Sequence, residues 1–201
     1  PGMRADDVNN AFEDPDVKAV IASIGGSDSI RILRYLKPEV IKSNPKILLG
    51  YSDTTTLTTY CNQLGLITFN GPSIMAGFSQ WRSLPKGFQE HVEQFLFNPQ
   101  ESFEYTPFKQ YSNGYPDWSK EENTGEVKDP IETKGWQWLQ GDSVARGHLF
   151  GGCFEVMENM KGTQYWPKEE FWDGKILFLE TSEVLEVHVV ITVNVNGVQA
   201  I

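Results

Sequence analysis

Lys46-Ile47-Leu48-Leu49-Gly50-Tyr51-Ser52-Asp53-Thr54-Thr55-Thr56-Leu57 is the stretch from which the fold is read. Ile47 to Leu49 is an apolar run of the length of a short buried strand. Gly50 ends it, and Asp53 with three threonines opens a helix. A strand that bends sharply into a helix through Gly-x-Ser sets the serine hydroxyl at the carboxyl edge of a sheet, the geometry of a nucleophile elbow. Backbone N–H groups just after such a serine face the place where an oxyanion forms on an attacked carbonyl. The match is incomplete, because the elbow pattern asks for glycine two residues after the serine and Thr54 stands there. On spacing alone, Ser52 or Asp53 capping a helix explains the same residues.

Upstream of this stretch, Val8, Ala11 and Phe12 share one face of a helix predicted over Ala5–Phe12, which Asp14-Pro15-Asp16 stops. Lys18 to Ile24 is mostly apolar, as a parallel strand covered on both faces should be, and Gly25-Gly26 follows at its carboxyl end. Ile30–Leu36 is predicted as a helix with Ile32, Leu33 and Leu36 inward, and Pro38 opens a short one before Asn44-Pro45. Alternation of helix and strand of this kind implies a parallel α/β sheet. Such sheets bind ligands beyond the carboxyl ends of their strands, so Gly25-Gly26 and Ser52 are expected to face one crevice.

Downstream, Leu66–Phe69 reads as a strand and the second half of Ser79–Phe97 as a helix closed by Pro99. Residues 100–141 change character: Tyr105, Phe108, Tyr111, Tyr115, Trp118, Trp136 and Trp138 lie in acidic, Pro- and Gly-containing sequence. Aromatic residues in such a connection either wall a ligand groove or, as we favour, pin the connection onto a domain. Gly147-His148-Leu149-Phe150-Gly151-Gly152-Cys153 reads as a glycine-rich turn into a helix over Phe154–Met160. Lys175–Leu179 is a buried strand with Glu180-Thr181-Ser182-Glu183 at its carboxyl end. From Val187 to Val195 the tail nearly alternates, and Asn196-Gly197 suits a hairpin turn.

The 201 residues suit one large domain or two small ones, and 39% hydrophobic residues allow a real core. A net charge of −10 sets nucleic-acid binding aside. Cys61 and Cys153 lack the paired spacing of a zinc site or a disulfide framework, which fits a reducing cytoplasm. No apolar run approaches membrane-spanning length.

Taken together, Ala11-Phe12-Glu13-Asp14-Pro15-Asp16-Val17-Lys18-Ala19-Val20-Ile21, Gly25-Gly26, Asn44-Pro45-Lys46 and Gly50-Tyr51-Ser52-Asp53-Thr54-Thr55 resemble the LD-carboxypeptidase family of serine peptidases. Gly71-Pro72, Gly151-Gly152, Gly162-Thr163-Gln164-Tyr165-Trp166-Pro167 and Ile176-Leu177-Phe178-Leu179-Glu180-Thr181-Ser182-Glu183 follow in the order that family shows them. The branch is closer to the microcin C immunity peptidases than to the murein recycling enzymes. The resemblance implies a cytoplasmic, commonly homodimeric hydrolase with a Ser-His-Glu triad and no metal or cofactor. Its substrate would be a short peptide, such as the L,D-tetrapeptide of murein, or an aminoacyl nucleotide. It implies a parallel-sheet, flavodoxin- or Rossmann-like N-terminal domain over residues 1–99, a connection over 100–145 and a smaller C-terminal α/β domain begun over 146–201. By matching position Ser52 is the nucleophile, Glu180 the triad acid with Glu183 its near rival, and the N–H groups of Asp53 and Gly26 the oxyanion hole. Gly25 and Trp138 are expected to touch substrate, Trp136 and Trp138 by stacking on a base.

The histidine of that triad has no match. His148 follows Gly147 as the family's base follows a glycine, but it precedes Glu180, the reverse of the family's order. His91 falls on a predicted helix as a surface residue, and His188 in a tail that does not resemble the family. The chain therefore reads as part of a longer protein, expected to show little turnover by itself. A catalytically inactive ligand-binding relative is the alternative.

Overall fold

The computed structural model describes residues 1–139 and 144–182 in full, and of residues 193–195 and 198–200 the backbone. Three strands pair in parallel in the N-terminal half: β1 (Ala19–Ile21), β2 (Ile47–Gly50) and β3 (Phe69–Asn70). β2 is the middle strand, with Val20 opposite Leu48 on one side and Gly50 opposite Asn70 on the other. All three strands end on the same edge, so the loops after Ile21, Gly50 and Asn70 converge there.

The helices cover this sheet as the apolar spacing predicts. α1 (Gly2–Glu13) buries Ala5 and Phe12, and α2 (Pro38–Ser43) buries Ile41. Ser29–Tyr35 winds as a tighter 3-10 helix that still turns Ile32 and Leu33 inward. α3 (Thr55–Gln63) leaves the elbow with Leu57 and Cys61 against Leu48 and Phe12 in one core cluster, which Met160 joins from the far half of the chain. Burying a Leu- or Phe-sized side chain contributes about 1.5–3 kcal/mol. This shared cluster therefore ties the C-terminal segment to the N-terminal sheet.

The start of the connecting region packs on a helix through Phe103, Tyr105 and Phe108. α4 (Lys86–Leu96) carries His91 and Phe95, and Phe103, Tyr105 and Phe108 pack against them with ring centroids 5.0–5.9 Å apart. Further on, β4 (Gln110–Ser112) and β5 (Pro130–Glu132) form a small antiparallel pair.

Gly147–Cys153 departs from its reading as a turn. His148–Cys153 is a strand, β6, in parallel register with β7 (Lys175–Glu180) from His148 opposite Lys175 to Cys153 opposite Glu180. Its glycines mark close approach, not a bend. A Cβ on Gly151 would lie 1.7 Å from the Phe178 carbonyl oxygen, and one on Gly152 2.7 Å from Thr55 at the head of α3. α5 (Phe154–Glu158) follows directly. Near the end of the chain Val193–Val195 and Val198–Ala200 pair antiparallel around Asn196-Gly197. The turn itself, Glu183, His188 and the rest of the alternating tail lie outside the described residues.

Candidate active site

Ser52 follows β2 by two residues and opens a short 3-10 turn, Ser52–Thr54, that runs into α3. Among the described residues it is the non-glycine with positive φ, at 56°. Such a backbone is uncommon outside glycine and clusters at functional positions. Here it lifts the side chain out of the strand-to-helix bend. Ser52 is half-buried, and its hydroxyl faces the first glycine after β1: a Cβ on Gly25 would sit 2.9 Å from Ser52 Oγ. The absence of a side chain at Gly25 is what leaves room beside that oxygen.

The neighbouring aspartate holds the two loops in place. Asp53 is buried, and its Oδ2 accepts the N–H groups of Asp28 at 3.1 Å and Ser29 at 3.0 Å. Its Oδ1 accepts the Ser29 hydroxyl at 3.0 Å. A carboxylate that receives the first N–H groups of a helix satisfies donors that have no partner within it. Through this clamp the Gly25-Gly26 loop and the Ser52 bend become one rigid unit; a Cβ on Gly26 would lie 3.0 Å from Asp53 Oδ2. Among the described residues the Gly26 N–H has no protein acceptor.

Glu180 arrives from the far half of the chain. The route is short: Thr55 Oγ1 on α3 accepts the Cys153 N–H at 3.0 Å, and Cys153 is the ladder partner of Glu180. Glu180 Oε1 thereby reaches the Ser52 N–H at 3.4 Å, across 128 residues of sequence. Burial raises the Glu180 carboxyl above the usual glutamate range. The Ser52 N–H pulls it down, the charge of Glu155 pushes it up, and a hydrogen bond from the Asn70 side chain lowers it again. The acid is thus held by neutral donors at the carboxyl ends of β2 and β3.

A chain of aromatic residues starts at Tyr51, just before Ser52 in sequence. The hydroxyls of Tyr51 and Tyr115 share a hydrogen bond of 2.5 Å, and Tyr115 lies 4.9 Å from Trp118, ring centre to ring centre. Trp136 and Trp138 are exposed, at 68% and 75%. A cavity of about 950 Å³ lies elsewhere. It is an apolar space between α4, β3 and the β6–β7 pair, lined by Phe88, His91, Tyr105 and Phe178 but by neither Ser52 nor Glu180. The polar groups converge on the elbow, whereas the cavity is walled mainly by apolar side chains. Asn70 borders both.

The described histidines are not at the elbow. His91 is half-buried among Phe95, Phe103, Tyr105 and Phe108, where burial lowers its pKa. His148 starts β6, five ladder positions from the end that carries Glu180, a distance of about 16 Å at the rise of a strand. Both thiols are unreactive by environment. Burial pushes Cys61 up to about 12 and Cys153 up to about 11. Among the described residues no group of three His, Cys, Asp or Glu side chains is placed to hold a metal, and no helix is long and apolar enough to cross a membrane. Sequence reasoning missed Ser29, Thr55, Asn70 and Glu155. The run of threonines after Asp53 marked a helix start, but nothing in it pointed to Cys153 98 residues away.

Comparison with known proteins places these features in a family. The sequence model of the LD-carboxypeptidase N-terminal domain matches residues 1–71, and that of the LD-carboxypeptidase C-terminal domain residues 146–192. A Vibrio cholerae protein named as a carboxypeptidase is 31% identical over 180 residues, 89% of this chain and 52% of its own length. The microcin C7 self-immunity protein MccF of Escherichia coli is 30% identical over 182 residues, again 89% of this chain and 51% of its own. Among solved structures, an MccF-like protein of Bacillus anthracis superposes with a TM-score of 0.78 at 30% identity, over 90% of this chain and 52% of that one. An MccF-like protein of Streptococcus pneumoniae in complex with AMP gives 0.79 at 27% identity, over 91% and 58%. MccF in complex with aspartyl sulfamoyl adenosine gives 0.70 at 27% identity, over 89% and 52%. The chain spans about half the length of the curated relatives it matches.

Proposed function

Since this chain belongs to the LD-carboxypeptidase family, we propose that its crevice is that of a serine amide hydrolase acting on a short peptide or a peptide-nucleotide, with Ser52 the nucleophile and Glu180 the acid of the triad. The observation that carries this reading is the meeting of Ser52, Gly25 and Glu180 from three separate strand ends at one bend. Ser52 Oγ would bond to the scissile carbonyl carbon while its proton passes to a base. The N–H groups of Gly26 and Asp53 would receive the negative charge that forms on the carbonyl oxygen. Breaking the C–N bond releases the amine, which takes the proton, and water then frees the acyl group from the serine. The base is an imidazole outside the described residues, oriented by Glu180. The Tyr51, Tyr115 and Trp118 rings give an aromatic wall suited to the nucleobase of an aminoacyl nucleotide, a role in which they precede Trp138. Complexes of similar proteins with AMP and with aspartyl sulfamoyl adenosine support the nucleotide class.

Binding and turnover test this separately. Aspartyl sulfamoyl adenosine is expected to bind the 201-residue chain and raise its melting temperature, and more so than a murein L,D-tetrapeptide does. A serine-reactive phosphonate is expected to label Ser52 slowly, because the base is not among the described histidines, and not to label Ser52→Ala. Absence of binding by both ligands overturns the reading. The placement of His91 and His148 away from the bend favours a second one, an inactive ligand-binding relative. Binding with no labelling of Ser52 at any rate would select it.

A further inference from the structure

Glu155 is the second residue of α5, just past the end of β6. Both of its carboxylate oxygens accept the Ser182 N–H, at 3.1 Å each, and Oε2 accepts the Cys153 thiol at 3.4 Å. Cys153 is the ladder partner of Glu180, and Ser182 stands two residues beyond Glu180. One carboxylate therefore joins the end of β6 to the chain leaving β7. The ladder ends at the Cys153–Glu180 pair, and among the described residues the Glu155 contact holds the chain just beyond it.

We propose that Glu155 is a positioning residue for Glu180: by holding the Ser182 amide and the Cys153 thiol it fixes where the end of β7 presents the Glu180 carboxylate to the Ser52 bend. The inference rests on the reading of Ser52 and Glu180 given above. An ordinary turn cap would hold the backbone and leave the acid's titration alone. Glu155 differs, because it faces Glu180 with a charge. Among the described residues, the groups that act on Glu180 are the Ser52 N–H before α3, Asn70 on β3 and Glu155 on α5, and of these Glu155 is the ionisable one. Cys153 on β6 stays protonated. Burial pushes the Glu155 carboxyl up, but its own N–H, the Ser182 donors and the Cys153 thiol outweigh this and leave it below the usual range. Glu155 is thus ionised where Glu180 titrates. Like charges disfavour each other's ionised form, so removing this charge moves the Glu180 midpoint to lower pH.

The test uses the 201-residue chain with Glu155→Gln and Glu155→Ala. The readouts are Ser182 amide exchange, the Glu180 carboxyl titration by NMR, and affinity for aspartyl sulfamoyl adenosine. Glu155→Ala is expected to speed Ser182 exchange by about tenfold or more, to lower the Glu180 midpoint and to weaken binding by about tenfold. Glu155→Gln keeps an acceptor. It is expected to retain Ser182 protection and binding within about threefold while the Glu180 midpoint still falls. An unchanged Glu180 midpoint in Glu155→Gln overturns the proposal, and so does unchanged Ser182 exchange in Glu155→Ala. Where Glu155→Ala does not fold, the Glu155→Gln midpoint decides. If the parent chain itself fails to bind the nucleotide, the functional reading falls, and the Ser182 and Glu180 measurements still judge Glu155.

Discussion

Ser52 and Glu180 hold conformations that a stability-optimised chain would avoid: a left-handed φ on a side-chain-bearing residue and a carboxyl pressed into a half-buried place. Local strain and burial of an ionisable group are common where a fold serves a site and not its own stability. The acid has a measurable consequence. Its folded pKa lies above the unfolded value of about 4.3, so the folded state binds this proton more tightly. The stabilisation from that proton is complete below the unfolded value and is lost as pH rises through the folded one. Glu180→Gln resembles the protonated acid and escapes that loss. It is expected to melt higher than the parent at pH 7 and at the same temperature near pH 4, with binding at the crevice impaired. A thermal-denaturation series across that range checks it, and a variant less stable than the parent at pH 7 would contradict the sign. Trp138, which the resemblance implies stacks on a base, stands 75% exposed, and Tyr115 shares a hydrogen bond with the hydroxyl of Tyr51, the residue before Ser52.

At the scale of elements, β6 is the least expected part of the fold. Glycine weakens a strand unless another backbone must come close, and that is the case at Gly151, opposite the carbonyl of Phe178. Gly151→Ala places a methyl group 1.7 Å from that oxygen in a backbone of φ 157°, which favours glycine. It is expected to part β6 from β7 at a cost of about 3 kcal/mol or more, read as a lowered urea midpoint, and to free Glu180 from Ser52. A midpoint equal to the parent's would mean that the β6–β7 ladder adjusts freely. The helical elements were legible because burial of one face leaves a 3.6-residue period, and Phe88, Val92 and Phe95 keep it in α4. The helix predicted over Ile30–Leu36 turned out as 3-10, since the apolar positions specify which side is inward but not how tightly the turn is wound.

Across the whole molecule, α3 is the joint. Its first residue, Thr55, receives the Cys153 N–H and touches the space over Gly152, and its middle buries Leu57 and Cys61 with Met160. The parallel sheet of the N-terminal half and the β6–β7 pair therefore meet on one helix that begins just after the Ser52 turn. Thr55→Val keeps the shape and removes the acceptor, leaving the Cys153 N–H buried without a partner. This is expected to cost about 1–3 kcal/mol and to separate the unfolding of the two halves. Trp166 and Trp172 fluorescence would then change at lower denaturant than the far-ultraviolet signal of the helices. Coincident transitions by both probes would show that the core cluster alone couples the halves.

The sequence by itself determined the alternation of helix and parallel strand, the bend at Gly50-Tyr51-Ser52 and, through its ordered motifs, the family. These depend on hydrophobic period and turn chemistry, which neighbours along the chain encode. Only the tertiary structure decided that His148–Cys153 runs as a strand, that Asp53 clamps the Gly25-Gly26 loop, and that Glu155 and Asn70 flank Glu180. Each of these is a contact between segments distant in sequence, and the side chains that make it carry no local signal of the partner they will meet.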